Sequence, residues 1–307
     1  MIAVWAVLVV AGLSVSVVAS GSALRTSEAL GRRAGLSPIV IGLTIVSIGT
    51  DLPEIANSIL ASAAGRGDLN VGDSTGSAAT QITLVLGVLC LLRPLAVGRR
   101  FAAIAGAFTV SAFVVAAAMM SDGSLSRLDG LLLVLIWVAA TAVTGRSAPL
   151  AETRRAESSG PGIALLAGKA LLALAVVGAG AALAVTAFGR LTDDLGVPEY
   201  ATSFLVLSIG TSLPELMVDG RAVLRGMGAL ALGDILGSSL IDATLSLGIG
   251  PLLFPTAVSA EAARGTLLVG AVVAAAVILL VSRRLHDWKS GLTAIGLYLL
   301  LFPLVII

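Results

Sequence analysis

The octapeptide SIGTDLPE, Ser47 to Glu54, returns almost unchanged as SIGTSLPE, Ser208 to Glu215. Further along each copy, GDSTGSAATQ from Gly72 to Gln81 matches GDILGSSLID from Gly233 to Asp242. Both matches have the same offset of 161 residues. Two similarities in one register indicate an internal duplication, so the chain is expected to contain two copies of one structural unit.

The composition around these motifs is that of a membrane protein. Hydrophobic residues make up 57% of the 307 residues and charged residues 12%, whereas soluble domains contain roughly 45–50% and about 25%. A membrane-spanning helix needs about 20 mostly apolar residues. The sequence therefore predicts an all-α polytopic membrane protein with about ten transmembrane helices: 2–21, 38–64, 71–92, 101–119, 129–144, 162–187, 200–220, 230–252, 265–282 and 291–306.

Several classes of function are excluded by the remaining composition. The net charge of +1 argues against a nucleic-acid partner. Cys90 is the only cysteine, which excludes a disulfide framework or a thiolate metal cluster. His286 is the only histidine and is expected in a solvated basic loop, so a histidine metal site is not predicted. No cofactor is therefore expected.

A polar segment rich in Gly, Pro and Ser, 145–161, separates the two copies and is predicted to be a cytoplasmic linker. The halves beside it are 1–144, with its motif region at 42–87, and 162–307, with its motif region at 203–248. Each half has five predicted spans, an odd number, so the second copy must enter the membrane in the opposite sense. Inverted repeats of this kind build secondary transporters, whose substrate site lies at the repeat interface near the midplane.

Lysine and arginine set the expected orientation, because cytoplasmic loops carry an excess of them. With the N-terminus outside, the outside connections hold four such residues and the inside connections fourteen. The fourteen are Arg25, Arg32, Arg33, Arg93, Arg99, Arg100, Arg146, Arg154, Arg155, Arg221, Arg225, Arg283, Arg284 and Lys289. Both termini are therefore predicted to be extracytoplasmic, in a multi-pass protein of the cell membrane.

The repeated octapeptide combines a weakened helix with an acidic residue. Its glycine loosens the helix and its proline removes a backbone hydrogen bond, which we expect to free the carbonyl oxygens near Ser47, Ile48 and Thr50 for a cation. Such a break is tolerated at membrane depth only where it lines a cavity or is buried in protein. A carboxylate within a span costs roughly 2.5–3.5 kcal/mol on insertion scales. Glu54 and Glu215 are therefore interpreted as groups that meet a cation.

The second motif adds polar side chains at positions i, i+4 and i+8, which share one face of a helix. These residues are Asp73, Ser77 and Gln81 in the first half, and Asp234, Ser238 and Asp242 in the second. Asp73 and Asp234 lie near the predicted helix starts, so they have an alternative interpretation as helix caps or members of polar networks.

At these residues the chain resembles the cation/calcium exchanger superfamily, specifically its prokaryotic sodium/calcium exchanger branch. That branch carries GTSLPE followed by a GNxxGSN-type helix in each half. GTSLPE at 210–215 matches fully, and GTDLPE at 49–54 matches at all but one position. The resemblance implies two inverted five-helix repeats and an antiporter, not an enzyme, that exchanges Ca²⁺ for Na⁺ by alternating access. It implies the lipid bilayer and these ions as partners, with no obligate protein partner.

The resemblance also implies roles for matched positions, with spans 1 and 6 as the sliding pair that gates the cavity. The expected ligands are, for calcium, Glu54, Glu215 and the carbonyl oxygens of Thr50 and Thr211; for sodium, Ser77, Ser238 and the backbone oxygens of Ser47 and Ser208; and, at the remaining polar position, Gln81 and Asp242.

Asp51 departs from the family pattern, which has a serine there, as the second copy does at Ser212. Both are included among the candidate metal ligands. Gln81 also departs, because Asn or Asp is usual at its position. Carboxylates that lie close together favour protonation of one of them. A proton-coupled or K⁺-dependent divalent-cation exchanger is therefore the alternative, while an ion channel would more naturally use rings of acids from several subunits.

Overall fold

The computed structural model describes residues 2–148, 161–193 and 208–306, which are almost entirely helical. The helices of the first half are α1 Ile2–Ala34, α2 Pro38–Ile41, α3 Ser47–Thr50, α4 Leu52–Ala63, α5 Gly67–Thr80, α6 Leu86–Leu92, α7 Arg99–Met119 and α8 Arg127–Ser147. Those of the second half are α9 Ile163–Asp193, α10 Ser208–Thr211, α11 Leu213–Leu224, α12 Gly228–Ile241, α13 Leu247–Leu253, α14 Ala260–Ser282 and α15 Trp288–Ile306. Five-residue π-helical turns occupy Gly42–Val46, Gln81–Val85 and Asp242–Ser246.

The helices have the length and composition of a multi-pass membrane protein. Among the described residues, six are long and apolar enough to cross a bilayer, with a seventh if α2–α3 and α4, bent by 45°, form one span. The six are Gly67–Leu92, Arg99–Asp122, Arg127–Ser147, Ile163–Gly180, Gly228–Leu253 and Ala260–Ser282. The count of ten spans stays a prediction. Residues 149–160 of the predicted linker and 200–207 of the seventh predicted span lie outside the described residues.

Two local predictions are wrong. Arg25 and Arg33 were expected in a loop after residue 21, but α1 continues to Ala34. A helix satisfies its own backbone hydrogen bonds, so it can extend past the apolar segment that hydropathy detects. His286 was expected in a solvated loop, but its side chain is only 2% exposed and its Nε2 lies 2.9 Å from the Leu280 carbonyl oxygen.

The duplication seen in the sequence recurs as matching local structure. α4 and α11 both have 12 residues, and α5 and α12 both have 14 residues. The residue that breaks each motif helix has nearly the same backbone conformation: φ −81° and ψ 6° at Asp51, and φ −82° and ψ 5° at Ser212. Equivalent sequences have therefore folded into equivalent elements.

In the described part of the chain, four two-residue strands join the halves: β1 Leu95–Ala96, β2 Ser124–Leu125, β3 Thr256–Ala257 and β4 Leu285–His286. β1 pairs antiparallel with β4, and β2 pairs antiparallel with β3. At the 161-residue offset, β1 is equivalent to β3 and β2 to β4. β1 and β2 precede and follow α7, so the two sheets lie at opposite ends of that helix.

Some contacts join positions that are equivalent in the two halves. The Ser16 hydroxyl donates to the Val177 carbonyl oxygen at 2.8 Å, and the Ser239 hydroxyl donates to the Ala78 carbonyl oxygen at 3.4 Å. In each pair the residues are 161 positions apart. Equivalent residues can touch only near a twofold axis, so these contacts mark an approximate internal twofold through the helix bundle.

Helix α12 packs closely against the start of the second predicted span. A Cβ added to Gly233 would lie 2.1 Å from the Ile39 carbonyl oxygen, and one added to Gly42 would lie 2.1 Å from the Leu230 carbonyl oxygen. Glycine at both positions therefore allows two backbones to approach, as is common in membrane helix packing.

We expect Gly233→Ala to destabilise the protein, because the added methyl group would overlap a backbone atom that cannot rotate away. Overpacking of a core typically costs about 1–3 kcal/mol. The midpoint of thermal unfolding in detergent, followed by tryptophan fluorescence, should fall. Gly72→Ala is the matched control, because Gly72 is the repeat equivalent and an added Cβ there meets nothing within 4 Å. Equal midpoints for the two variants would contradict the close-packing interpretation.

Candidate ion-binding site

Three buried carboxylates converge between the halves. One oxygen from each of Asp51, Glu54 and Asp242 lies within 4.8 Å of the others. All three side chains are 0% exposed. Asp51 lies at the break between α3 and α4, Glu54 in the first turn of α4, and Asp242 at the start of the π-helical turn after α12. The arrangement brings the two halves of the chain to one acidic cluster.

The helix break positions the first two carboxylates. Pro53 is the second residue of α4 and has no N–H to donate, so the chain bends at Asp51. Glu54 follows in the first helical turn, where the positive end of the helix dipole favours a negative group. The Ser47 carbonyl was expected to be free, but it accepts the Asp51 N–H at 3.0 Å. The Thr50 hydroxyl also lies 3.2 Å from this carbonyl oxygen and can donate to it, so the Ser47 carbonyl is not left free for a cation.

The second motif has the same design. Glu215 lies in the first turn of α11 and is 0% exposed. The Ser208 carbonyl accepts the Ser212 N–H at 3.2 Å. The Ser212 side chain is 1% exposed, and its hydroxyl oxygen makes no hydrogen bond. Each half thus contributes one glutamate and one helix break.

Most oxygens of the acidic cluster lack donors. Both oxygens of Glu54, Oδ2 of Asp51 and Oδ1 of Asp242 make no hydrogen bond. Among the described residues, no lysine or arginine forms an ion pair with any of the three. Buried charges are normally paired or bound to a metal ion, so these oxygens fit a cation or a proton.

Gln81 links carboxylates from both halves. Its Nε2 donates to Oδ2 of Asp242 at 3.0 Å and lies 3.3 Å from Oδ1 of Asp51. Gln81 and Asp242 are 161 residues apart, so their contact also lies near the internal twofold. The Gln81 Oε1 makes no hydrogen bond and faces no donor.

The hydroxyl groups of the two motifs interlock across the halves. The Ser77 and Thr211 hydroxyls are 2.9 Å apart, and those of Thr50 and Ser238 are 3.5 Å apart. The Ser47 hydroxyl instead donates to the Leu43 carbonyl oxygen of its own helix at 2.8 Å. The structure therefore brings the predicted hydroxyl residues to the interface of the repeats, where the Ser47 hydroxyl lies close to Gly237 of α12.

Asp73 and Asp234 are not helix caps. α5 begins at Gly67 and α12 at Gly228, so both aspartates lie one to two turns inside their helices. Asp73 accepts the Asn57 amide at 2.6 Å and the Thr211 hydroxyl at 3.4 Å. The sequence placed the helix starts too late, because it took the first apolar residue as the boundary.

Asp219 was not identified from the sequence. It is 0% exposed in α11, four residues after Glu215, and its carboxyl group contacts that of Asp234. Its spacing from Glu215, one helical turn, is the signal that could have found it. Within the described residues, the polar groups at this interface offer carboxylate, hydroxyl, amide and carbonyl oxygens, which are the atoms that hard cations prefer.

Comparisons with known proteins agree with this architecture. The profile of the family described as "Sodium/calcium exchanger protein" matches residues 4–145 and 165–306. The inner membrane protein YrbG of Escherichia coli (strain K12) is 31% identical over 262 residues, covering 81% of this chain and 79% of that protein. The sodium/calcium exchanger MaX1 of Methanosarcina acetivorans is 27% identical over 303 residues, covering 84% of this chain and 86% of that one.

A solved structure of the sodium-calcium exchanger NCX_Mj, soaked with 10 mM Na⁺ and zero Ca²⁺, superposes with a TM-score of 0.79. It is 24% identical and covers 98% of both chains, so the fold is shared over nearly the whole length. The resemblance inferred from the repeated GTSLPE-type motifs is confirmed. Since the family profile covers both halves, the chain belongs to the sodium/calcium exchanger protein family.

Proposed function

We propose that the chain is a secondary active antiporter that exchanges Ca²⁺ for Na⁺ across the cell membrane by alternating access. The observation that carries the proposal is the convergence of Asp51, Glu54 and Asp242 within 4.8 Å. Four of their six oxygens make no hydrogen bond, and none of the three has a basic partner among the described residues. A buried site made only of oxygen ligands suits Ca²⁺ and Na⁺. Membership of the exchanger family supports the same conclusion.

The proposed architecture has two inverted five-helix halves, 1–144 and 162–307, joined by the linker 145–161. The family profile matches the chain twice, once in each half. Superposing each half on the other would place the β1–β4 sheet on the β2–β3 sheet. The two sheets lie at opposite ends of α7. That relation supports insertion of the halves in opposite senses. The excess of lysine and arginine in one set of connections supports extracytoplasmic termini.

The proposed calcium ligands are the carboxylates of Glu54 and Glu215 with the carbonyl oxygens of Thr50 and Thr211. Sodium would use the hydroxyls of Ser77 and Ser238 with the backbone oxygen of Ser208, while Asp51, Ser212, Gln81 and Asp242 complete the polar wall. The 2.9 Å contact between Ser77 and Thr211 supports this set, because it keeps hydroxyls of both halves at one level.

Alternating access is supported by the way α9 covers the helix break. A Cβ added to Gly49 would lie 2.4 Å from the Leu174 side chain, and one added to Gly178 would lie 3.3 Å from Pro53. α9 in turn packs along α1. Movement of α1 and α9 together would uncover the break without separating the rest of the bundle.

A second candidate function is a proton-coupled divalent-cation exchanger. The observation that favours it is the third carboxylate: Asp51, Glu54 and Asp242 together carry one negative charge more than Ca²⁺ neutralises. Glu215, also a proposed calcium ligand, adds a fourth carboxylate, so protons on two of these groups would balance the site. K⁺ dependence is the related alternative, in which a monovalent cation takes that role.

The test is ⁴⁵Ca²⁺ uptake into proteoliposomes loaded with Na⁺, with H⁺ or with neither in excess. Uptake driven by the Na⁺ gradient alone is expected. Uptake driven only by the H⁺ gradient would replace the sodium-coupled proposal with the proton-coupled one. Absence of uptake under all three gradients would contradict both.

Glu54→Gln and Glu215→Gln are each expected to lower ⁴⁵Ca²⁺ uptake more than about tenfold, because an amide oxygen carries no net charge for a divalent ion. A tenfold loss corresponds to about 1.4 kcal/mol of binding free energy. Folding should persist, as judged by an unchanged elution profile in detergent. Glu261→Gln makes the same chemical change at an exposed position, where Glu261 pairs with Arg264, and should transport normally. Wild-type uptake in either site variant would contradict the ligand assignment.

Asp51→Ser restores the serine that the second half has at Ser212. We expect it to change the dependence of uptake on Na⁺, K⁺ or H⁺ more than it changes the amount of folded protein, because it removes one charge from the cluster. The measurement is the initial uptake rate over a matrix of cation gradients. A profile identical to that of the wild-type protein would show that Asp51 has no part in ion selection.

A further inference from the structure

Beside the central cluster, the second half contains a separate pair of buried acids. Asp219 on α11 and Asp234 on α12 are both 0% exposed, and their carboxyl groups contact each other. None of their four carboxylate oxygens makes a hydrogen bond. Thr50 and Ser238 place further oxygens beside Asp234. The pair therefore consists of two buried carboxyl groups side by side, with hydroxyl groups next to one of them.

The first half shows what these positions look like when they are satisfied. The equivalent of Asp234 is Asp73, which accepts a 2.6 Å hydrogen bond from Asn57 and one from the Thr211 hydroxyl. The equivalent of Asp219 is Ser58, whose hydroxyl oxygen accepts the Gly250 N–H at 3.0 Å. The same place in the fold thus has donors in one half and a second carboxylate in the other. The acidic pair is a specific feature of α11 and α12, not a consequence of the repeat.

Two carboxylates in contact repel each other and cannot both stay ionised in a buried place without a positive partner. Among the described residues, no lysine or arginine forms an ion pair with either one. Carboxylate and hydroxyl oxygens are ligands that divalent cations such as Ca²⁺ accept. A bound divalent cation would balance the two negative charges.

The position of the pair gives it a place on an ion route. Asp219 follows Glu215 by four residues and Asp234 precedes Ser238 by four, so the pair lies one helical turn, about 5.4 Å, from the central level. That turn leads toward the C-terminal end of α11, whose last turn contains Arg221. The connection that follows this end is predicted to be cytoplasmic.

We propose that Asp219 and Asp234, with neighbouring hydroxyl oxygens, form a second divalent-cation site one helical turn from the central cluster, on the side of the arginine-rich end of α11. The inference rests on the proposed divalent-cation specificity of the chain. Asp219 is the residue that creates the site, because its equivalent in the first half is a neutral serine.

The test is equilibrium binding of ⁴⁵Ca²⁺ to the purified full-length chain in detergent, in Na⁺-free buffer at alkaline pH. Four proteins are compared: wild type, Glu54→Gln, Asp219→Ser and the double variant. The expected stoichiometries are two ions, one, one and none. Glu54→Gln removes a central ligand and leaves the pair intact, while Asp219→Ser copies the residue at the equivalent position.

An unchanged stoichiometry on going from Glu54→Gln to the double variant overturns the second site. Asp219→Asn serves as an isosteric second variant and should give the same loss as Asp219→Ser, with thermal unfolding in detergent confirming that each protein is folded. The outcomes separate the two proposals. Uptake by the wild type with only one bound ion overturns the second site alone, whereas two bound ions without gradient-driven uptake overturn the antiporter proposal alone.

Discussion

The structure depends on one electrostatic constraint: it buries many carboxylates within a membrane protein and gives them no basic partner among the described residues. Isolated buried charges are too costly to retain. In this fold the acids lie together at the two helix breaks, beside backbone and hydroxyl oxygens of both halves. A stable apolar bundle around them supplies the low dielectric that makes their attraction for a cation strong.

The internal twofold explains why the acids meet. Each half brings a broken helix and a polar helix to the same interface, and hydroxyls interlock between Ser77 and Thr211 and between Thr50 and Ser238. Neither half could enclose the site alone, because Asp51 and Glu54 of the first half lie within 4.8 Å of Asp242 of the second half. Gly42 and Gly233 allow the backbones of the two halves to approach closely enough for these contacts. Packing and chemistry are therefore set by the same repeated sequence.

Much of the fold and of the candidate site could be predicted, because each motif occurs twice and the second copy supports the interpretation of the first. Two copies of SIGTxLPE at one offset predict the helix breaks and both glutamates, and the second repeated motif predicts the polar helix face. The contacts that distinguish the halves could not be predicted this way. Asn57 donating to Asp73, and Asp219 meeting Asp234, are asymmetric and depend on side-chain directions across a helix pair. The extension of α1 to Ala34 was also missed, since hydropathy detects only its apolar part.

The hydrogen bond between Gln81 and Asp242 has a consequence for the history of the chain. These positions are equivalent in the repeat, and they face each other beside the twofold. In an assembly of two identical subunits, any residue placed there would meet its own copy, so an acid would oppose an acid and an amide would oppose an amide. An amide opposite a carboxylate requires two halves of different sequence, which a single polypeptide that carries both copies provides. The contact is thus a mark of divergence between the two copies.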